Sequence, residues 1–462
     1  MSNRLKCFLM LSIVSLGVGC GDHPQAKFVF NERTRGLEKQ AQDPVKKAIE
    51  YSFGTPVDMI GWEKLPIEYG GGIEGTALAP ETDGTTKTFK AKFEKPFETF
   101  DGRSTIHWLS GVYHGKSVEV TDYSPATGEI TTHPPLEVPP QADDRFVIDF
   151  GWQLKSGRQL YMKQCMHCHG VSGDGAGPTA QYLNPRPRDY RPGKFKFTST
   201  GQNDKASRDD LARTIENGIP GTYMPSFKLF SEAESKAVVE YVRWLTMRGE
   251  LENGLDNEFY SDLSKKAVKE RIDGGETAEE IFEGVQENVT DAVERLSDEL
   301  AESWLKAESD ESVVIPKKKR PEADKASLAR GRALYLSGKA KCVTCHGATG
   351  KGDGPNTRDV QQRTDGPGMN DKPGLFDTWS EKIKPRDLTR GIYRGGRRPV
   401  DLYRRIFAGI KGTPMPPFGG TLNDDEIWDL VNYVMHIPHE GRVMSTPEHT
   451  SGNVATAKHG DH

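Results

Sequence analysis

Apolar residues recur at steps of three and four along much of the chain, which is the period of an α-helix. The longest such run predicts an amphipathic helix from Ile281 to Trp304. Two shorter runs follow acidic turns that begin with a capping residue, and these runs predict closing helices. The acidic turns are Ser231–Glu234 and Asn423–Glu426, and further helices are predicted over Asp210–Ile219 and Leu402–Ile410.

The N-terminus has the pattern of a secretory signal. Basic Arg4 and Lys6 precede an apolar run from Cys7 to Val18, and small residues follow. This run is shorter than the roughly 20 residues that a membrane-spanning helix needs, and no other candidate span is found downstream. The sequence therefore predicts an exported protein, either periplasmic or anchored to a membrane on its extracytoplasmic side.

Cys20 is a candidate lipid anchor. It follows Leu16-Gly17-Val18-Gly19, a segment that resembles the signal of bacterial lipoproteins, in which a lipid is attached to the first mature cysteine. The leucine stands one place farther from the cysteine than in the usual motif. An ordinary cleaved signal is therefore kept as the alternative.

Residues 21–150 contain no repeat and form an N-terminal domain of unknown role with mixed α/β character. A helix is predicted near Pro44–Tyr51 and strands over Lys87–Phe93 and Lys116–Val120. His107, Trp108 and His114 lack a carboxylate or cysteine at ligand spacing, so a structural role is favoured over a metal or redox site.

The rest of the chain is organised around an internal repeat. Each copy opens with Gly-Arg-x-Leu-Tyr, at Gly157 and at Gly331. Both continue through Cys-x-x-Cys-His-Gly, a Gly-Pro step, a Pro-Arg-Asp and a Gly-Ile-x-Gly-Thr-x-Met-Pro-x-Phe segment. The interval from His169 to Pro187 is 18 positions and that from His346 to Pro385 is 39, so the second copy has about 21 extra residues. Such a loop is expected to be surface variation or, less often, a partner contact.

Charge is nearly balanced overall, with 62 basic and 67 acidic side chains, so nothing indicates nucleic-acid binding. Between the copies, residues 251–312 hold 19 acidic and 6 basic side chains. This acidic segment is either a structural arm or a docking face for a basic partner. The predicted organisation is 1–20 signal peptide, 21–150 N-terminal domain, 151–248 and 326–440 helical repeat domains, 249–325 acidic helical linker, and 441–462 disordered tail.

The cysteines carry the chemistry of the repeat. Once Cys7 and Cys20 are set aside, those that remain form two Cys-x-x-Cys pairs, each followed directly by histidine. Two thiols one helical turn apart can add to the two vinyl groups of one porphyrin, and the following imidazole can bind its iron. The predicted haem-binding sets are Cys165, Cys168 and His169, and Cys342, Cys345 and His346.

Met224 and Met415 are the candidate sixth ligands of these two irons. Both stand in the repeated Gly-Thr-x-Met-Pro context, and a neutral, soft thioether suits reduced iron. Histidine–methionine ligation predicts fairly positive one-electron reduction potentials for both irons. Residues next to the methionines differ, with Tyr223 in one copy and Pro414 in the other, which suggests that the two potentials are unequal.

These motifs resemble those of class I cytochromes c, specifically two-domain bacterial dihaem cytochromes. The resemblance covers about residues 157–247 and 331–437, under half of the chain. It implies a mainly α fold with two helical haem domains, two covalently bound haem c groups and electron transfer between redox protein partners. It implies nothing about the N-terminal domain or the acidic linker.

Arg188 and Arg386, in the Pro-Arg-Asp turns, are candidate donors to the haem propionates. The alternative is that each arginine pairs with the neighbouring acid, Asp189 or Asp387.

Other functions fit the sequence less well. A structural zinc site would not explain the Met-Pro loops, and a thiol–disulfide oxidoreductase would need a βαβ pattern. A dihaem enzyme of the peroxidase type, with one open iron, is the main alternative to an electron carrier without catalytic residues. A subunit of a respiratory or dehydrogenase complex is compatible with the carrier function.

Overall fold

The computed structural model describes residues 26–70, 72–80, 87–93, 104–148, 151–363 and 368–440. The predicted signal peptide, the candidate anchor Cys20 and the tail after residue 440 lie outside the described residues. The chain forms two compact units. The first comprises Met1–Ala180, Tyr190–Pro192 and Glu240–Leu300, and the second comprises Gln181–Asp189, Gly193–Val239 and Ala301–His462.

Helices dominate the described part of the chain outside the N-terminal region. They are α1 (Glu32–Gly36), α2 (Lys39–Phe53), α3 (Trp152–Gln164), α4 (Met166–His169), α5 (Arg208–Asn217), α6 (Glu232–Leu263), α7 (Lys265–Asp273), α8 (Ala278–Phe282), α9 (Val285–Lys306), α10 (Lys325–Leu336), α11 (Cys342–His346), α12 (Pro399–Ala408) and α13 (Asp424–His436). The strands are β1 (Ile73–Ala77), β2 (Thr88–Phe93), β3 (Thr105–Trp108), β4 (Ser117–Ser124), β5 (Glu129–His133), β6 (Arg145–Ile148), β7 (Leu375–Phe376) and β8 (Lys382–Ile383).

The first unit begins with α1 and α2 and a closed antiparallel barrel of strand order β1-β2-β5-β4-β3-β6. Its interior is filled by aromatic and aliphatic side chains, among them Phe89, Trp108 and Phe146. Gly75 gives these rings room, because a Cβ there would lie 2.5 Å from the ring of Phe146. The predicted helix near Pro44 and the two predicted strands are confirmed by α2, β2 and β4.

His107 belongs to the wall of this barrel. Its side chain is buried, and its Nδ1 lies 3.0 Å from the Ser117 hydroxyl. Burial lowers the pKa of His107 to about 4, so the imidazole is neutral at physiological pH. Its contacts are those of a core side chain.

The C-terminal part of α6 is the central element of the first unit. Tyr241 and Trp244 are fully buried, and the Trp244 indole N–H donates to the carbonyl of Ile60. Farther along the helix, Glu252 and Asp256 both accept hydrogen bonds from the Thr34 hydroxyl at 2.9 Å. These carboxyl groups therefore bind the N-terminal segment of the described chain to α6.

The predicted helix from Ile281 to Trp304 is two helices. α8 ends at Phe282 and α9 begins at Val285, with Gly284 between them at φ +68°. This left-handed conformation ends the helical hydrogen bonding, so the apolar period continues through a break that the pattern does not reveal. The acidic segment as far as Leu300 belongs to the first unit, where Leu296 contacts α6 near Gly254.

The second unit contains the second copy of the repeat. α10 and α13 cross closely at Gly331, where a Cβ would collide with the carbonyl oxygen of Asp429. The rings of Tyr335 and Tyr433 pack edge to face 5.4 Å apart in the core beside this crossing. The predicted capping residue Asn423 is confirmed, because its side chain and that of Glu426 form a reciprocal capping box at the start of α13.

The extra residues of the second copy form the β7–β8 hairpin and the loops around it. The prediction that this segment is surface variation is wrong for its central part, since Leu375 and Asp377 are buried. The stretch containing Asp365 to Pro367 lies outside the described residues. Within the described part of the chain, no helix is both long and apolar enough to cross a membrane.

The contact between the N-terminal segment and α6 predicts a pH-dependent stability. Burial raises the pKa of Asp256 to about 6. A carboxyl group with a raised folded pKa contributes most below its unfolded pKa of about 3.9, and that contribution is lost as the pH rises through the folded value. Asp256→Asn is therefore expected to raise Tm at about pH 7.5 and to have less effect at about pH 4.5.

Thermal unfolding followed by circular dichroism across this pH range measures the effect. Asp262→Asn, at an exposed position on the same helix, is the control. The raised pKa of Asp256 would be contradicted if Asp256→Asn changed Tm by the same amount at both pH values.

Candidate haem sites

The second Cys-x-x-Cys-His motif forms the short helix α11 in the second unit. Cys342 and Cys345 lie one helical turn apart, and neither thiol is part of a disulfide. Burial raises the pKa of Cys342 to about 12, with the nearby Cys345 adding to the effect. The Cys342 side chain packs against the apolar core of this unit. The Cys342 sulfur is therefore a neutral thiol, and it lies one helical turn from the Cys345 sulfur, the spacing that attachment to one porphyrin requires.

His346 has a defined orientation. Its Nδ1 lies 3.2 Å from the backbone carbonyl oxygen of Arg386, and since a carbonyl only accepts, Nδ1 carries the proton. Burial lowers the pKa of His346, although the bond to Arg386 acts in the opposite direction. A neutral imidazole with a protonated Nδ1 leaves the lone pair of Nε2 for a metal.

The loop after His346 is held by backbone bonds and one buried tyrosine. The Tyr335 hydroxyl donates to the Gly347 carbonyl at 2.9 Å, and Gly352 N–H donates to the carbonyl of His346 at 2.8 Å. Gly347 has φ +74°, and a Cβ there would collide with the carboxylate of Asp353. The invariant spacing of glycines in the two copies thus has a steric cause at this position.

Met415 lies in a loop of the same unit. Its carbonyl accepts from Ile410 N–H at 3.1 Å, and its own N–H donates to the Thr413 hydroxyl at 3.3 Å. The side chain is half-buried and packs against the same apolar core as Cys342. The second unit therefore contains both parts of the second predicted haem site, the thiol and histidine helix and the methionine loop.

The first motif repeats this local geometry in the first unit. The Tyr161 hydroxyl donates to the Gly170 carbonyl at 2.8 Å, and burial raises the pKa of Cys165 to about 12. The copies differ at the histidine, because the ring of His169 stacks on Tyr190 at 4.8 Å between centroids. Leu388 stands at the corresponding place after the second Pro-Arg-Asp.

The Met224 loop, which belongs to the second unit, has the same hydrogen bonds as the Met415 loop. The Met224 carbonyl accepts from Ile219 N–H at 3.1 Å, and the Thr222 hydroxyl accepts from Met224 N–H at 3.1 Å. A hydroxyl–carbonyl bond closes each loop at 2.8 Å, from Thr222 to Ile219 and from Thr413 to Ile410.

The two Pro-Arg-Asp arginines lie in the second unit. The guanidinium of Arg188 stacks over the Trp379 ring at 3.6 Å from its centroid. Arg386 donates from Nε to the Ile392 carbonyl at 2.8 Å. Asp387 accepts from both the amide and the hydroxyl of Thr389, so this acid holds a turn and is not the ion-pair partner of Arg386.

Sequence reasoning missed several residues of these sites. Tyr161 and Tyr335 were visible as a repeated tyrosine, four residues before Cys165 and seven before Cys342, and Tyr190 as a difference directly after Pro-Arg-Asp. Trp379 lies in the inserted segment, so it has no repeated counterpart and carried no signal of its own.

The donor set fits covalently attached haem. Each motif presents two unbridged thiols on one helical turn and a histidine beside them, and each repeat also has a methionine in a rigid loop. In addition, the second unit contains buried N–H groups of Trp379 and Arg394 that have no hydrogen-bond partner. Such groups suit the carboxylates of a porphyrin.

The family comparison agrees with this geometry. The family model for cytochrome c matches residues 154–246 and 328–438. The two matched regions are cytochrome c domains. Membership of this family implies covalently bound haem c and haem-based electron transfer.

No curated protein matches this cytochrome c. Among solved structures, a chain of the reducing HAO-like protein complex of Kuenenia stuttgartiensis is 25% identical, and the match covers 61% of this chain and 96% of that chain with a TM-score of 0.42.

The buried tyrosine predicts a measurable contribution to the second cytochrome c domain. Tyr335→Phe leaves the Gly347 carbonyl without its donor, which is expected to lower the free energy of unfolding by about 1–3 kcal/mol. Denaturant unfolding of the haem-loaded protein measures this loss. Tyr182→Phe, at a side chain that is 78% exposed, is the control and should have little effect. Equal stabilities of the two variants would rule out this role for the Tyr335 hydroxyl.

Proposed function

We propose that this protein is a dihaem c-type cytochrome that carries single electrons between periplasmic or membrane-associated redox partners. Its two haems would each have histidine and methionine ligands, His169 with Met224 and His346 with Met415. The observation that carries the proposal is the repetition of the whole arrangement: the same tyrosine–glycine bond, thiol helix and methionine loop occur in each copy.

When bound, haem iron supplies a reversible one-electron couple. The residues of the chain fix its ligands and surroundings. The Arg386 carbonyl holds the His346 ring in one orientation with Nε2 directed away from the bond, so the ligand needs little rearrangement when the iron changes charge. The Thr413 and Ile410 bonds hold the Met415 backbone in the same way. A site with two rigid axial ligands favours electron transfer over substrate binding at the iron.

The N-terminal sequence pattern supports a proposed location for this protein, and the location limits its possible partners. An N-terminal secretory signal, with Cys20 as lipid anchor, would place the chain on the extracytoplasmic side of a membrane, where covalent haem proteins are typically found. Redox protein partners, or a respiratory or dehydrogenase complex to which the chain belongs as a subunit, would then supply and remove the electrons.

Spectroscopy of the protein matured with haem tests the ligand assignment. Pyridine haemochrome analysis is expected to give two covalent haems per chain, and the oxidised protein should show the weak far-red charge-transfer band of methionine–ferric coordination. Met224→Ala and Met415→Ala should each remove part of this band, because each leaves one iron without its thioether. Met369→Ala, at a side chain that is 54% exposed, is the control and should leave the band unchanged.

A different spectroscopic result would support a different function for this protein. If Met224→Ala or Met415→Ala leaves the band intact and the unchanged protein has a high-spin component, one iron has an open position. Peroxide turnover would then be measured, and activity would support the dihaem enzyme of the peroxidase type.

A further inference from the structure

Arg386 contacts residues of both copies of the repeat. Its backbone carbonyl accepts the bond from His346 Nδ1 in the second copy. Its guanidinium lies against Gly221, where a Cβ would be 2.7 Å from Nη2 and 2.9 Å from Nη1. Gly221 belongs to the Met224 loop of the first copy, and both residues are in the second unit. The side chain of Arg386 is thus directed to the other copy and not to its own haem motif.

Arg394 approaches the same glycine. Its Nη2 donates to the Gly221 carbonyl at 3.2 Å, and its Nε is buried without a hydrogen-bond partner. Burial lowers the pKa of Arg394, and the adjacent charge of Arg386 lowers it further. Two neighbouring guanidinium groups with a buried, unsatisfied N–H need a compensating anion.

The Met415 loop has a matching arrangement. Gly412 occupies the place in this loop that Gly221 occupies in the other, and a Cβ there would collide with the ring of Trp379. The ring of this tryptophan is also covered by Arg188 of the first copy, whose guanidinium lies 3.6 Å from the ring centroid. The indole Nε1 and the hydroxyl of Thr378 are buried without hydrogen-bond partners.

Charge around Trp379 is also predominantly positive. Lys196 Nζ lies 5.7 Å from the ring centroid and 2.9 Å from the carboxylate of Asp377. Burial and then the charge of Arg188 lower the pKa of Lys196 to about 8, even though Asp377 acts in the opposite direction. The single carboxylate of Asp377 therefore does not balance the positive charges of Lys196 and Arg188 beside Trp379.

The two glycines would lie close to the porphyrin rims if the methionines bind the irons. Gly221 and Gly412 each stand three residues before the proposed methionine ligand, and three residues span at most about 11 Å. A loop that brings a methionine to the iron must therefore pass the porphyrin edge near its glycine. Haem propionates are the anions that a c-type cytochrome brings to such a place.

We propose that each haem is held partly by the other copy of the repeat. In this arrangement Arg386 and Arg394 of the second copy bind the propionates of the first haem, and Trp379 with Arg188 of the first copy binds those of the second haem. The proposal rests on the two histidine–methionine haems proposed above. In this proposal Arg188 and Arg386 each bind the propionates of the haem that belongs to the other copy. The inserted segment contributes to the second haem site through Trp379.

The crossed arrangement has a consequence for the reduction potentials. A propionate carboxylate stabilises ferric over ferrous iron, and donors that neutralise it raise the potential. Removing a donor should therefore lower the potential of the haem whose propionate it binds. The shift should correspond to a change of up to about tenfold in the reduction equilibrium, which is 59 mV for one electron.

Single-haem redox titrations test the proposal. Met415→His removes the methionine band of the second haem, so that the remaining far-red band follows the first haem alone, and Met224→His isolates the second in the same way. Arg386→Gln and Arg394→Gln are added to each background, as is Trp379→Phe, which keeps a ring under Arg188 but lacks the N–H. Arg397→Gln is the charge-matched control, because this exposed arginine lies only three residues from Arg394.

The arginine substitutions in the second copy are expected to change mainly the potential of the first haem. Arg386→Gln and Arg394→Gln lower the potential of the first haem more than that of the second, whereas Trp379→Phe lowers mainly that of the second. The proposal would be overturned if Arg386→Gln and Arg394→Gln shifted the second haem more than the first, or if Trp379→Phe shifted the first haem more than the second. Shifts no larger than that of Arg397→Gln would also overturn it. So would potentials that depend on phosphate concentration at constant ionic strength in the unchanged protein but not in Arg394→Gln, since the cluster would then bind an anion from solution.

The design separates this proposal from the proposed function. Loss of the far-red band in the methionine variants shows the haem ligands independently of any shift caused by the arginine variants. If Arg386→Gln disturbs the bond to His346, Arg394→Gln still tests the crossed contact, because Arg394 has no bond to the histidine.

Discussion

The hydrogen bond from His346 Nδ1 to the Arg386 carbonyl is the interaction on which the second haem site depends. It selects the tautomer of the imidazole, leaves Nε2 for the iron and connects the haem-binding helix to the Pro-Arg-Asp turn. Because it uses the backbone of Arg386, it leaves that side chain to reach Gly221. One residue thus couples the orientation of an axial ligand to a contact with the other copy of the repeat.

Much of the local structure of each candidate haem site could be predicted from the sequence, because its residues lie close together in the chain. Cys342, Cys345 and His346 lie on one turn, so spacing alone indicates that they face the same porphyrin. The methionine loops were recognisable for another reason: a Gly-Thr-x-Met-Pro segment that occurs twice is unlike a core methionine, and the matching Thr222 and Thr413 bonds account for that repetition. The capping residues at the closing helices were equally readable, since a capping box needs only residues three apart.

Features that depend on distant contacts were not predictable. The sequence pattern continued through Gly284, where a positive φ breaks the acidic helix into α8 and α9. The inserted segment is rich in glycine, proline and polar residues, and this composition predicts a surface loop. The composition does not reveal that Asp377 is buried beside Lys196. Trp379 was missed for the same reason, because its partners Arg188 and Gly412 are far from it in sequence.

The difference between the copies follows from these same distant contacts. The first histidine stacks on Tyr190, whereas the second copy has Leu388 at the corresponding place. The Gly221 loop meets two guanidinium groups directly, whereas the Gly412 loop meets Arg188 only through the indole of Trp379. A charge acts more strongly at short range and in a dry environment, so these unequal contacts cannot stabilise two propionate sets equally. Two haems with the same axial ligands would therefore differ in potential because of residues outside the repeated motif.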